Sequence, residues 1–248
     1  MYATILFKNN VLSISFLGKF HLSFEQIGAN NHLTPEMVRD EMNNIKGKIK
    51  DMTTTAVLSQ LEVPLESTFE AMKTGKEWGA TTILNPAPCN NQILDNDLLK
   101  YVDIIIPNET ELQQLVGSEL ISSDENANNE EDMAKKLFDK GIQRAVIVTL
   151  GARGAMVVTK PKNSGGEFDI KYVNAPSELE CNSQPVVDTI GAGDCFCGSL
   201  SLYLSAGMEL SVAAMKACGV ASMSVRKSGA QTSYPSHEDL PPTLRLDV

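Results

Sequence analysis

Residues 188–196 read DTIGAGDCF, two glycines between two aspartates at the head of a small and apolar run that extends to about Ala206. The run has the composition of a buried helix, so the glycines mark its first turn. A helix N-terminus presents unpaired backbone N–H groups and the positive end of the helix dipole, and glycine lets that backbone approach an anion with no side chain in the way. Gly191, Ala192 and Gly193 therefore form a candidate anion cradle. A carboxylate beside such a cradle, Asp194, would repel a phosphate unless it had separate work. Accepting a proton from a hydroxyl that attacks phosphorus suits it, with the amides stabilising charge on the group being transferred. The alternative is a helix cap above a tight turn, and this stretch alone does not separate the two. Its spacing is neither the G-x-x-x-x-G-K-[ST] of a P-loop nor the G-x-G-x-x-G of a dinucleotide fold, and the lack of the latter after an early strand counts against an oxidoreductase.

Working outward, the chain alternates short apolar strands with amphipathic helices. Residues 4–16, TILFKNNVLSISF, predict two strands joined by a tight turn, and the following LGKFHLSFEQ has no clear period. Thr34 and Pro35 read as an N-cap and first helical residue, and Met37, Val38, Met42, Ile45 and Ile49 recur at helical spacing to about Lys50. Strands are then expected at 54–62, 81–86, 103–106 and 145–150, with helices at 64–79, 93–100, 109–116 and 130–140 between them. The acidic stretch at 122–132 reads as a solvated loop. After residue 150 the signal turns to strands at GAMVVTK (154–160), FDIKYV (168–173) and PVVD (185–188), before apolar helices at 193–206 and 209–227. This order predicts an α/β fold whose parallel sheet is covered on both faces, with ligands beyond the carboxyl ends of the strands. There is no internal repeat and no linker that divides the chain.

The chain has 248 residues, 42% of them hydrophobic, enough for one substantial core. With 31 acidic and 21 basic residues its formal charge is -10, which leaves no electrostatic footprint for nucleic acid or an anionic membrane. Five scattered cysteines without C-x-x-C spacing indicate neither a disulfide framework nor a zinc site and fit a reducing cytoplasm, with the nucleus as the alternative.

Several further stretches, in order, carry a resemblance: GAN (28–30), QLEVPLES (60–67), NPAP (85–88), VDIIIPNETE (102–111), VTLGARGA (148–155) and GAQTSYP (229–235). Together with DTIGAGD they make residues 27–240 similar to the ribokinase branch of the ribokinase and phosphofructokinase-B carbohydrate kinases. The resemblance implies a three-layer αβα, Rossmann-like sheet and transfer of the γ-phosphoryl of ATP to the 5-hydroxyl of D-ribose, with Mg2+ and activation by K+. Asp194 matches the catalytic base and Gly191, Ala192 and Gly193 the anion hole. Asn108 and Glu111 match residues near the phosphates and the hydrated Mg2+, an ion that gives up its waters reluctantly. Thr149, Leu150, Gly151, Ala152, Arg153 and Gly154 match the strand end and turn that receive the nucleotide, and Cys218 a position against the adenine. Asp188, Ile190, Ser224, Lys227, Gly229 and Ser233 match the potassium site, built mostly from carbonyls, and Glu62 a residue that contacts the sugar.

Members of that family begin with a segment of about a hundred residues that has no counterpart here, carrying an N-x-D sugar clamp, a G-G-K-x-x-N signature, the first strands and most of a β-lid. Residues 1–26 thus form a divergent segment, with TILFKNNVLSISF as candidate lid strands, and residues 27–248 the nucleotide-binding and catalytic domain. The expectation is a shortened form whose ATP half is intact, whose sugar half keeps Glu62 and Asp194, and whose sheet edge is bare, a second copy pairing through lid or edge being one way to cover it. Two rival functions remain open at this point: another sugar or nucleoside kinase of the same fold, and a non-catalytic nucleotide-binding protein.

Overall fold

The computed structural model describes residues 3–8, 11–16, 32–48, 55–89, 93, 97–117, 130–161, 166–177, 179 and 185–246. The GAN stretch, LGKFHLSFEQ and most of the acidic stretch lie outside them. The elements are β1 (Ala3–Lys8), β2 (Val11–Phe16), α1 (Pro35–Lys46), β3 (Thr55–Ser59), α2 (Leu65–Glu77), β4 (Thr81–Leu84), β5 (Ile104–Ile105), α3 (Glu109–Val116), α4 (Glu130–Asp139), β6 (Ala145–Thr149), β7 (Ala155–Thr159), β8 (Asp169–Val173), α5 (Ala192–Ser205) and α6 (Leu210–Ser224). They form one sheet in the order β2-β1-β3-β4-β5-β6-β7-β8.

The β-branched runs are buried on both sides, which is why they read as continuous rather than alternating. In β6, Val146 and Val148 join the cluster made with α1 to α4, while Ala145 and Ile147 join the cluster made with α5 and α6. Helices thus cover each face, and the three-layer α/β expectation holds. α1 shows how the local signals act: the Thr34 side chain accepts from the Met37 N–H, Pro35 opens the helix, and Val38, Met42 and Ile45 are buried while Met37 is not.

Three sequence expectations are corrected. The sheet is mixed: β1, β3, β4, β5 and β6 run parallel, β7 folds back antiparallel to β6 because the turn between them is too short for a helical crossover, and β8 pairs antiparallel with β7. PVVD is not a strand. The Val187 and Asp188 N–H groups donate to the Val225 carbonyl at the end of α6, so a helix terminus takes the bonds a strand would have given. In the segment around 93–100 the described residues are 3-10 rather than α-helical, at Ile93 and at Asp97–Tyr101.

Residues 3–16 do form two strands, yet in the central sheet rather than in a lid. β1 pairs in parallel with β3, Ala3 opposite Thr55, and β2 pairs antiparallel with β1. The backbone groups on that side of β3, otherwise a free edge, find their partners there.

Candidate active site

Four parallel strands end side by side, and the ladder continues past them. The Asn85 N–H donates to the Ser59 carbonyl at 2.9 Å, that of Ile106 to Leu84 at 2.8 Å, and that of Thr149 to Pro107 at 3.0 Å. Gln60, Asn85, Asn108 and Thr149 are thereby held along one rim, as expected where parallel strands meet the loops that follow them. The N-terminus of α5 arrives on the same rim. Gly191 adopts a left-handed conformation, φ 78°, before its first turn, and a Cβ there would lie 2.7 Å from the Tyr234 hydroxyl. Both facts require glycine.

A cavity of about 140 Å³ opens at this point. Its wall brings together Asn108, Glu111, Thr149, Gly191, Gly193 and Asp194, all expected from the sequence. Asn85, Ala87, Ile106 and Cys197 complete it and had drawn no role from the sequence. A Cβ built on Gly193 meets nothing within 4 Å, so no side chain crowds that residue, whereas the Ala192 N–H is already given to the Thr189 carbonyl at 3.2 Å. Glu62, Leu150, Gly151, Ala152, Arg153, Gly154 and Cys218 are not part of the wall.

Asp194 stands in the first turn of α5 and is half-buried. Its Oδ1 accepts from Gln60 Nε2 at 2.7 Å, and Tyr234 also hydrogen-bonds the carboxylate. Burial first, then the negative charge of Asp194, raises the Tyr234 phenol, which therefore stays protonated and able to donate at neutral pH. Neither Gln60 nor Tyr234 was assigned a role from sequence, although both lie in stretches that carry the resemblance. The cue was present in QLE and SYP, but only packing shows which side chains meet.

Asn108 caps α3 in a closed box. Its Oδ1 accepts from the Glu111 N–H and its own N–H donates to Glu111 Oε2, both at 2.8 Å. Burial raises the Glu111 carboxyl above the usual glutamate range, against the lowering effect of the Asn108 N–H. The cap does not exclude a ligand role for Glu111, because a carboxylate oxygen that accepts an N–H retains a lone pair.

The turn after β6 is the 3-10 helix Gly151–Arg153. Gly154, φ 82°, closes it, and a Cβ there would lie 2.1 Å from the Val173 carbonyl, so only glycine fits. Arg153 bridges Glu109 of α3 and Glu130 of α4. Cys218 is buried in α6 with its Sγ 3.9 Å from the Val173 carbonyl, and burial pushes the thiol up to about 12. It is a packed apolar residue beside β8.

Asp188 ties two loops together beside the cradle. Its Oδ1 accepts from the Ile190 N–H and its Oδ2 from the Gly229 N–H, each at 3.0 Å, and these bonds lower its carboxyl. The Ser224 and Ser233 hydroxyls donate to the carbonyls of Ala221 and Ala230. Among the described residues no group of three or more His, Cys, Asp or Glu is arranged to hold a metal, and no helix is long and apolar enough to cross a membrane.

The pattern that defines the pfkB family carbohydrate kinases matches residues 24–237, and the chain belongs to that family. It is 36% identical over 225 residues to a ribokinase of Dictyostelium discoideum, covering 86% of this chain and 65% of the relative. A deoxyribokinase of Salmonella typhi is 34% identical over 220 residues, covering 89% of this chain and 64% of the relative. The solved ribokinase of Arabidopsis thaliana complexed with ribose and ATP superposes with a TM-score of 0.60 and 26% identity, over 77% of this chain and 56% of that one. The chain therefore spans under two thirds of the length of these relatives.

Proposed function

We propose that this chain carries the phosphoryl-transfer site of an ATP-dependent sugar kinase acting on the 5-hydroxyl of D-ribose. The observation that carries this reading is the position of Asp194, on the wall of the same cavity as the Asn108 and Glu111 pair and as Gly191 and Gly193 at the start of α5. The ribokinases among its relatives supply the sugar, and the deoxyribokinase marks 2-deoxyribose as the nearest rival acceptor.

In the proposed step the sugar hydroxyl loses its proton to the Asp194 carboxylate as its oxygen bonds the γ-phosphorus. The bond from that phosphorus to the β–γ bridging oxygen breaks, and the electron pair leaves with ADP. The N–H groups of Gly191 and Gly193 stabilise charge on the phosphoryl oxygens in flight, and the helix dipole adds to them, while the Ala192 N–H, expected in the same role, is held by the Thr189 carbonyl. Asn108 and Thr149 bound the phosphate side. The turn through Leu150, Gly151, Ala152, Arg153 and Gly154, with Cys218 farther along, receives the rest of the nucleotide. Glu62, half-buried beyond β3, contacts the sugar.

Glu111 fits a hydrated Mg2+, as a hard carboxylate on the cavity wall, and such an ion neutralises phosphate charge when bound. K+ would be held by backbone carbonyls around Ile190, Ser224, Lys227, Gly229 and Ser233. Asp188 contributes the negative charge there, its two oxygens each retaining a lone pair beyond the N–H bonds they accept.

The test is turnover with a panel of ribose, 2-deoxyribose and nucleosides, alongside Asp194→Asn. Ribose-dependent ADP release that falls at least about 100-fold in the variant supports the reading, since loss of a general base costs about that much. Retention within about tenfold removes Asp194 from its role. A non-catalytic nucleotide-binding reading draws on one observation, that Glu62 lies off the cavity wall. Calorimetry showing ATP binding without ribose binding or turnover would favour it.

A further inference from the structure

Gln60 follows β3, is only 3% exposed, and has a side chain fixed at both ends. At its root, the Gln60 carbonyl accepts from the Thr68 hydroxyl at 3.1 Å and the Ser59 hydroxyl at 3.3 Å. At its head, Nε2 donates to Asn85 Oδ1 at 2.8 Å and to Asp194 Oδ1 at 2.7 Å. Both N–H groups are thus committed.

The orientation of these amides is dictated from outside. Asn85 Nδ2 donates to the Ile106 carbonyl at 2.7 Å, and a backbone carbonyl can only accept. Asn85 must therefore turn its oxygen to Gln60, and Gln60 must turn its nitrogen to Asn85 and Asp194 together. Gln60 Oε1 is left buried with no partner among the described residues. Rotating the amide by half a turn would set that oxygen against two other oxygens, which is worse than leaving it alone. An amide is also well matched to a base, because it holds one carboxylate oxygen without cancelling the negative charge that proton abstraction needs, as a lysine or arginine would.

We propose that Gln60 is a positioning residue for phosphoryl transfer, the last member of a chain of amides running from the Ile106 carbonyl through Asn85, which holds Asp194 Oδ1 while the Tyr234 hydroxyl also braces the carboxylate at the cavity wall. The proposal rests on Asp194 being the base. It predicts a fixed carboxylate rather than one that swings between rotamers, and misplacement by about 1 Å is enough to cost roughly 100-fold in rate.

The experiment compares Gln60→Leu, Gln60→Glu and Asn85→Asp with Asp194→Asn, each first checked for folding by thermal melting. Gln60→Leu should lower kcat by about 10-fold to 100-fold and leave KM for ATP within about twofold. Gln60→Glu should lose more and move the acid limb of the rate profile to higher pH, because two adjacent carboxylates then share a proton. Asn85→Asp keeps the volume but faces the Ile106 carbonyl with an acceptor, and should lower kcat in the same direction.

If Asp194→Asn abolishes turnover while Gln60→Leu stays within twofold of the parent chain, the positioning role is overturned and the base stands. If Asp194→Asn is itself harmless, the base reading fails first. A second measurement does not need turnover. The side-chain amide resonances of Gln60 should move in Asp194→Asn and keep their parent positions in Glu111→Gln. Amide resonances that are the same in Asp194→Asn as in the parent chain would overturn the proposal.

Discussion

Asp194 and the glycines before it act through atoms a few ångströms apart, so their tests belong to single residues. Gly191→Ala places a Cβ against the Tyr234 hydroxyl at 2.7 Å in a left-handed backbone, and should destabilise the fold by about 1–3 kcal/mol in chemical denaturation. It should also displace Tyr234 from Asp194 and lower kcat. Tyr234→Phe removes only the hydroxyl and should leave the melting temperature nearly unchanged while altering kcat by less than Asp194→Asn does. Equal losses in the two variants would mean that Tyr234 does more than brace the carboxylate. Gln60 shows why residue type alone was a poor guide: a glutamine at a strand end is ordinarily a solvated polar residue, and here it is buried because its amide and carbonyl find partners on three neighbouring segments.

The elements position these residues through their ends. The box closed by Asn108 and Glu111 fixes the first turn of α3 at the cavity wall, and Asn108→Ala should cost about 1 kcal/mol of stability. Glu111 has a raised carboxyl in the folded state, so its protonated form is favoured below that raised range and its charged form, the one Mg2+ needs, above it. Affinity for the magnesium complex of a nucleotide should therefore begin to fall at a higher pH than an ordinary glutamate would give as the solution is acidified. Glu111→Gln should bind weakly and lose this pH dependence in calorimetry. Asp188 behaves with the opposite sign. Its carboxyl is lowered by the N–H groups of Ile190 and Gly229, so its contribution to stability is present above the ordinary aspartate range and lost as pH falls through its lowered one. Asp188→Asn should lower the melting temperature at neutral pH, the gap closing in strong acid, and should abolish any activation by K+. Equal melting curves at neutral pH would show that the carboxylate does not join the two loops.

At the scale of the molecule the sheet decides what can be reached. β1 occupies the edge of β3, whose Ala56, Val57 and Leu58 are fully or almost fully buried. Deleting residues 1–16 should expose that edge and raise light scattering on concentration, whereas the parent chain stays dispersed at its net charge of -10. A deletion variant that remains equally dispersed would show that the hairpin protects nothing. Val186, Val187 and Ile190 are 58%, 59% and 66% exposed just before the cradle, so this β-branched run has the composition of a strand yet lies outside the sheet. Such a run reports that an extended backbone is favourable, and only the position of the sheet reports whether a partner strand is there.

By itself the sequence determined the alternation of strands and helices, the two-sided burial of the central strands, the capped start of α1 and the glycine-governed start of α5. Each depends on neighbours within a few positions, where periodicity and backbone freedom act directly. The tertiary structure alone decided that the N-terminal hairpin extends the sheet, that β7 and β8 run antiparallel, and that Gln60 meets Asp194 across 134 positions of chain. Those contacts follow from strand order and register, which place the ends of β3 and β4 beside the first turn of α5, and no local pattern carries that information.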